Sequence, residues 1–118
     1  SSTKAELMLP DKIDQLKLRR EVINIADAAG VALKDVSVKE DKGSNAAVGS
    51  YLVDFSFVSR YKEAKLLLGE YEKNKRFYTI ESLTIKKMDT KSLKSDDIIK
   101  IDKDSLTISV TYRVNYLK

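Results

Sequence analysis

The apolar residues of this chain run through the same order twice: a helix and two strands, then a second helix and two strands. Residues 11–58 form the first αββ half and residues 60–117 form the second. One half cannot bury its own apolar faces, whereas two halves complete a four-stranded sheet with two helices on one face. The pattern therefore predicts one sheet and one core within a single domain of 118 residues, a length that suits one domain.

The first helix carries more apolar surface than a sheet can cover. It is predicted over residues 11–29, because Pro10 and Asp11 suit a helix start and Gly30 suits a helix end. The stripe predicted to face the core consists of Leu18, Val22, Ile25, Ala26 and Ala29. A second stripe, on the opposite side, consists of Leu9, Ile13, Leu16 and Ile23. Since a helix lying on a sheet needs one stripe, the second is either covered by another part of this chain or available to a partner. Its near-heptad spacing predicts that it contributes to a dimer interface with another chain.

The strands are predicted over residues 31–38, 48–58, 76–87 and 105–117, with the long polar connection 88–104 before the last. Ser59 is the predicted N-cap of the second helix. That helix is predicted to turn one face to the core, formed by Tyr61, Ala64, Leu67, Leu68 and Tyr71. In the third strand Leu83 and Ile85 are predicted to point inward. Because Tyr78 and Ile80 are out of phase with them, a connection or a bulge is expected near residues 81–82.

The αββαββ order is a circular permutation of the ferredoxin-like βαββαβ fold. It predicts an α+β domain whose antiparallel sheet has the strand order 3-4-2-1, with two helices on one face. Strict alternation along residues 48–58 assigns Tyr51, Phe55 and Phe57 to the core. The other face carries Asp54 and Arg113 on adjacent strands, which we expect to be solvated rather than paired with each other.

The composition argues against catalysis. The chain has no histidine and no cysteine, which removes the commonest general base, the commonest metal ligand and any thiolate. It has no phosphate-binding glycine motif. Its densest acidic group lacks the spacing of a calcium loop; the group consists of Asp96, Asp97, Asp102 and Asp104. We therefore expect no enzyme activity, no catalytic residues, no cofactor and no metal.

The charges favour a protein partner over a nucleic acid. The chain has 22 basic and 18 acidic side chains, a net charge of +4, with the two signs interspersed. RNA-binding sheets of this type need aromatic rings on the open face, and the aromatic stripe is assigned to the core. A ferredoxin-like ligand- or nucleic-acid-binding domain remains the alternative, and exposure of Tyr51, Phe55 and Phe57 would favour it.

The sequence contains no apolar run of the roughly 20 residues needed to span a bilayer. Ser1, Ser2 and Thr3 are interpreted as a cloning remnant within a lead-in over residues 1–8. Membrane association is therefore expected only through a segment that this chain does not contain.

Four segments resemble a known family. They are Leu9-Pro10 with the helix ending Ala28-Ala29-Gly30; Gly49-Ser50-Tyr51 through Ala64, Leu67-Leu68 and Glu72; Arg76-Phe77-Tyr78-Thr79-Ile80-Glu81-Ser82-Leu83-Thr84-Ile85; and the alternating strand from Leu106 to Tyr116. Together they are similar to the extracytoplasmic domain of the PilO family, inner-membrane assembly components of type IV pili. The M-type subunits of type II secretion share the αββαββ plan and remain an alternative.

The resemblance implies a non-enzymatic scaffold. Such a protein forms a dimer with a PilN-like partner or with itself and contacts other pilus assembly proteins. The resemblance also implies a membrane anchor in the full-length protein, with this domain on the extracytoplasmic side, facing the periplasm or the cell wall.

Overall fold

The computed structural model describes residues 10–41, 46–74, 76, 78–87 and 104–118. Its elements, in chain order, are α1 (Gln15–Ala28), β1 (Lys34–Asp41), β2 (Val48–Ser59), α2 (Tyr61–Glu72), β3 (Tyr78–Lys87) and β4 (Leu106–Leu117). The predicted αββαββ order is confirmed. Residues 1–8, Leu9 and most of the 88–104 connection, including Asp96, Asp97 and Asp102, lie outside the described residues.

The four strands form one antiparallel sheet in the order β1-β2-β4-β3. This is the predicted order 3-4-2-1 counted from the other edge. The two long central strands, β2 and β4, pair along their whole lengths. Helix α1 packs over the β1 side of the sheet and α2 over the β3 side, and the two helices touch each other.

The core lies between the helices and one face of the sheet. Tyr51, Phe55 and Phe57 are buried there, as the alternation predicted. At the centre is Tyr71 of α2, whose ring lies 5.3 Å from that of Phe55. The Tyr71 hydroxyl donates a 2.6 Å hydrogen bond to the carbonyl of Val22 in α1. One side chain thus joins both helices to the sheet.

Helix α1 begins four residues later than predicted. The carboxylate of Asp14 accepts the backbone N–H of Leu16 at 2.8 Å and that of Lys17 at 3.3 Å, which makes Asp14 the N-cap. Asp11 instead forms an isolated parallel bridge with Leu117 of β4. The prediction of a start at Pro10 and Asp11 was wrong because an equally good cap lay one turn further on.

Helix α1 ends just before Gly30, as predicted, but the first strand begins later than predicted. Gly30 has a φ of 77°, and its N–H and that of Val31 bond back to the carbonyls of Asp27 and Ala26. This is a Schellman turn, in which glycine tolerates the left-handed conformation. The turn places Val31 in a connection, so β1 begins at Lys34 rather than at residue 31. Of the predicted core stripe, Leu18, Val22 and Ala26 are buried, Ile25 is half-buried and Ala29 is exposed.

Two predictions about α2 were wrong. Arg60, not Ser59, is the N-cap residue, and no side chain caps this helix, because the Ser59 hydroxyl donates to the carbonyl of Arg60 at 2.9 Å. Ala64, Leu67 and Tyr71 are buried as predicted, but Tyr61 is exposed, since it stands on the first turn beyond the edge of the core.

Strand β3 contains the predicted bulge, at the register shift between Ile80 and Ser82. The shift brings Leu83 opposite Val110 and Ile85 opposite Ile108, so both side chains lie on the helix side of the sheet. They therefore point inward as predicted, but both remain exposed. Helix α2 covers the central strands and leaves this side of β3 open.

Candidate functional site

The predicted partner-binding stripe on α1 is represented in the structure by Leu16 and Ile23. They are seven residues apart, which places them on the same side of the helix. Leu16 is 71% exposed and Ile23 is half-buried. A leucine this exposed, one heptad from a second apolar residue, gives the helix an apolar contact surface.

The other two predicted residues do not extend this surface along the helix. Ile13 precedes the N-cap and is half-buried against the core, and its carbonyl accepts a 2.8 Å hydrogen bond from the Tyr51 hydroxyl. Leu9 lies outside the described residues. We therefore define the α1 stripe as Leu16 and Ile23.

The α1 stripe faces away from α2. A groove of about 400 Å³ separates the two helices. Its α1 wall includes Ile25 and Ala28. At 100° per residue, the direction of Leu16 and Ile23 is about opposite to that of this wall. Because α1 lies over β1, the stripe is on the β1 side of the molecule.

The groove between the helices was missed by sequence reasoning. Leu66 of α2, 63% exposed, stands in it between Glu63 and Glu70. The signal was present in the run of three leucines at residues 66–68, since three consecutive leucines cannot all face one core.

A second apolar groove, which we call the edge groove, lies between α2 and β3 and has a volume of about 380 Å³. Four exposed apolar side chains line it: Tyr61 at 62%, Ile85 at 45%, Leu83 at 41% and Ile80 at 38%. In the described part of the chain, β3 is also the outermost strand on this side. The apolar surface therefore continues directly to a sheet edge.

The chain entering α1 is fastened to one end of the sheet. The N–H of Leu117 donates to the carbonyl of Pro10 at 2.9 Å. The Lys12 ammonium pairs with Glu40 at 3.0 Å, and the Tyr116 hydroxyl donates to the same carboxylate oxygen at 2.9 Å. Hydrogen bonding to Glu40 raises the pKa of Lys12. These contacts fix the direction in which residues 10–14 lead into the helix.

The open face of the sheet is polar and internally bonded. The Arg113 guanidinium of β4 bonds to Asp41 of β1 at 3.0 Å, to Ser50 of β2 at 2.7 Å and to Glu81 of β3. One side chain thus links all four strands. Asp54 accepts a hydrogen bond from Thr111. Asp54 and Arg113 are not paired with each other, as expected, but the expectation that they are merely solvated was wrong.

The described residues offer little for acid–base or metal chemistry. They contain no group of three or more acidic side chains placed to hold a metal ion. Burial raises the pKa of Tyr71, Tyr78 and Tyr112 above the ordinary tyrosine range. These hydroxyls are therefore neutral hydrogen-bond donors at physiological pH.

The raised tyrosine pKa values predict loss of stability at alkaline pH. Burial, and then the hydrogen bond to Glu40, raise the pKa of Tyr116 to about 12, whereas an unfolded tyrosine titrates at about 10. A group with a raised folded pKa contributes fully below the unfolded value and loses that contribution as the pH rises toward the folded value. Relative to Tyr116→Phe, the wild-type chain should lose roughly 1–2 kcal/mol of unfolding free energy between pH 9 and pH 12. Urea titrations of both proteins measure this difference, and a constant difference over that range would contradict the assignment.

A comparison with solved structures supports the fold. The crystal structure of the type 4 fimbrial biogenesis protein PilO from Pseudomonas aeruginosa matches with a TM-score of 0.70 over 97% of this chain and 76% of that chain, at 12% sequence identity. No family model matches the sequence, and no curated protein matches it. The chain thus has a PilO-like α+β fold. Among the described residues, no helix is long and apolar enough to cross a membrane.

Proposed function

We propose that this chain is an assembly module of the type IV pilus machinery that acts by binding other protein chains and not by catalysis. The α1 stripe carries the proposal, because a leucine that is 71% exposed stands one heptad from Ile23 on a helix whose opposite side already lines another groove. The PilO-like fold supports the choice of machinery.

The proposed occupant of the α1 stripe is a PilN-like partner or a second copy of this chain. Arg19 and Arg20 lie between Leu16 and Ile23 in the sequence and are exposed. An apolar pair with basic neighbours suits a partner helix that presents apolar residues flanked by carboxylates. This charge argument favours the PilN-like partner, because the α1 stripe of a second copy has the same basic neighbours. The fastened segment before α1 supports this role, since it would hold the helix at a fixed angle to whatever precedes it.

The same comparison supports a proposed location. We place the domain on the extracytoplasmic side of the inner membrane, held there by a membrane anchor in a segment of the full-length protein that this chain does not contain. The sheet supports a protein-binding role over RNA binding, because Tyr51, Phe55 and Phe57 are buried under the helices and are not available to stack on bases.

Leu16→Asp tests the proposal. Because Leu16 is exposed, the substitution should change stability by no more than about 0.5 kcal/mol. Placing a charge in an apolar interface should weaken association at least tenfold, since one unpaired buried charge costs several kcal/mol. Co-purification of the full-length variant with the PilN-like protein of the same organism measures binding of that partner. Sedimentation of this chain alone measures its self-association. In cells, surface pili should be reduced while the amount of the protein is unchanged.

Asn24→Asp is the matched control. It adds the same negative charge to the same helix, at an exposed position about 80° around from Leu16. Normal association and normal piliation by Leu16→Asp would overturn the proposed role of the stripe. Loss of protein secretion with intact pili would instead favour the type II secretion alternative.

A further inference from the structure

Two neighbouring residues at the midpoint of α1 tie this helix to the second αββ half. Glu21 uses both of its carboxylate oxygens: Oε2 accepts from Arg76 Nε at 2.7 Å, and Oε1 accepts from the Tyr78 hydroxyl at 3.1 Å. At the next residue, the carbonyl of Val22 accepts the hydrogen bond of Tyr71. Donors from α2, from β3 and from the turn between them thus converge on one point of a helix that belongs to the first half.

The two groups that donate to Glu21 are themselves held in place. The backbone N–H of Arg76 donates to the Asn74 side chain at 2.9 Å. Tyr78 is buried, and its ring meets that of Tyr112 edge-on at 5.6 Å. Because burial raises the pKa of Tyr78 above the ordinary tyrosine range, its hydroxyl keeps its proton and remains a donor. The carboxylate of Glu21 is therefore fixed from two directions.

The ion pair between Glu21 and Arg76 is well suited to specify a position of α1. The Arg76 side chain is 16% exposed and that of Glu21 is 24% exposed. Desolvation of two such charges offsets much of their attraction, so the pair adds little net stability. Separating them is nevertheless unfavourable, because each charge would stay partly buried without its partner. The short, directional bond therefore disfavours other positions of the helix.

A second attachment holds the start of α1 to the first half. The Tyr51 hydroxyl donates to the carbonyl of Ile13 at 2.8 Å, and the Gln15 side chain donates to the carbonyl of Val38 in β1. Glu21 lies about 9 Å further along the helix axis than Gln15. Because one attachment would leave the helix free to swing, it is the pair of attachments that fixes the angle of α1 on the sheet.

The attachment at Glu21 lies on the side of α1 opposite the α1 stripe. At 100° per residue, Glu21 points about 140° away from Leu16 and about 160° away from Ile23. A chain bound to the stripe therefore does not contact Glu21. A substitution at Glu21 acts on that binding through the position of the helix.

We propose that the Glu21–Arg76 ion pair is a latch that holds α1 at the angle at which the α1 stripe binds its PilN-like partner. The inference deepens the proposed function and rests on it. Because coupling between two sites is reciprocal, breaking the latch weakens partner binding, and partner binding strengthens the latch. The second αββ half thus controls a surface that the first half carries, which makes Glu21 and Arg76 positioning residues.

Charge removal tests the coupling. Glu21→Gln and Arg76→Gln should each weaken binding of the full-length protein to the PilN-like protein of the same organism by about fivefold or more, the lower end of typical couplings between sites. The double variant should lose no more than either single variant, because both changes break the same pair. Arg76→Lys keeps a cation opposite Glu21 and should retain most of the binding.

The position of the helix can be measured directly, because the chain has no cysteine. Spin labels at Asn24→Cys in α1 and Lys62→Cys in α2, both exposed, report the distance between the helices. Glu21→Gln should widen the distribution of this distance about twofold or more, and adding the PilN-like protein should narrow it again. Asp27→Asn is the matched control: it removes one carboxylate from an exposed position of the same helix and should leave the width unchanged.

The inference is overturned if Glu21→Gln leaves the distance distribution unchanged. It is also overturned if Glu21→Gln and Arg76→Gln bind the PilN-like protein normally while Leu16→Asp binds it weakly; the α1 stripe then remains the interface. Normal binding by Leu16→Asp would instead overturn the proposed function, and the coupling with it. Circular dichroism identifies any variant that does not fold. Should Glu21→Gln be one, Arg76→Gln and Arg76→Lys still differ by one charge at the same position.

Discussion

Replacing Tyr71 with alanine is expected to destabilise the fold by about 3–5 kcal/mol, a large share of the about 5–15 kcal/mol that holds a typical domain folded. The side chain is fully buried, and its ring lies 5.3 Å from that of Phe55 and 5.4 Å from that of Tyr112. Removing it leaves a cavity where both helices meet the sheet. It also removes the 2.6 Å hydrogen bond to the Val22 carbonyl. Urea unfolding followed by circular dichroism measures the loss.

Two matched variants separate the causes. Tyr61→Ala removes the same side chain from the same helix at an exposed position, and stability should change by no more than about 0.5 kcal/mol. Tyr71→Phe keeps the ring and removes only the hydroxyl, which should cost about 1 kcal/mol. Equal losses for Tyr71→Ala and Tyr61→Ala would contradict the assignment of Tyr71 to the centre of the core.

Replacing Gly49 with alanine is expected to destabilise the fold by about 1–3 kcal/mol, as overpacking of a filled core usually does. A Cβ atom at residue 49 would lie 2.6 Å from the ring of Tyr116. That ring cannot withdraw easily, since it is buried 5.1 Å from the Tyr51 ring and its hydroxyl bonds to Glu40. Thermal unfolding of the variant measures the cost.

Replacing Gly69, the other described glycine without a positive φ, with alanine should change stability in the opposite direction. Gly69 lies inside α2, and a Cβ there would meet nothing within 4 Å. Gly69→Ala should therefore stabilise the fold by about 0.5–1 kcal/mol through its better helix propensity. If both variants are stabilised, or both destabilised to the same extent, close approach to Tyr116 does not explain the glycine at residue 49.

Local patterns predicted the sheet because each strand carries its own alternation. The period of two along β2 assigned Tyr51 and Phe55 to the core, and both are buried. The phase change in β3 predicted the bulge at Glu81, because one extra residue is the simplest way to return apolar side chains to one face. The left-handed end of α1 was likewise predictable, from Gly30 alone.

Local sequence patterns did not predict features that depend on contacts with a distant part of the chain. Asp11 and Asp14 are comparable helix starts in sequence, and the contact between Asp11 and Leu117, 106 residues away in the chain, accompanies the choice of Asp14. Arg113 was identifiable only as a polar residue on the open face. Its bonds to Asp41 and Glu81 depend on a strand order that brings residues from β1 and β3 to either side of it.

The sequence by itself determined the doubled αββ plan, the buried face of the two central strands and the excess apolar side of α1. These properties depend on the spacing of apolar residues, and that spacing can be recognised within a single segment of the sequence. Only the tertiary structure decided which apolar residues stay uncovered. Leu83 and Ile85 have the same pattern as buried strand residues, yet α2 stops short of them. Whether a strand residue is exposed depends on how close a second element packs against it. The sequence of the strand alone does not specify that packing distance.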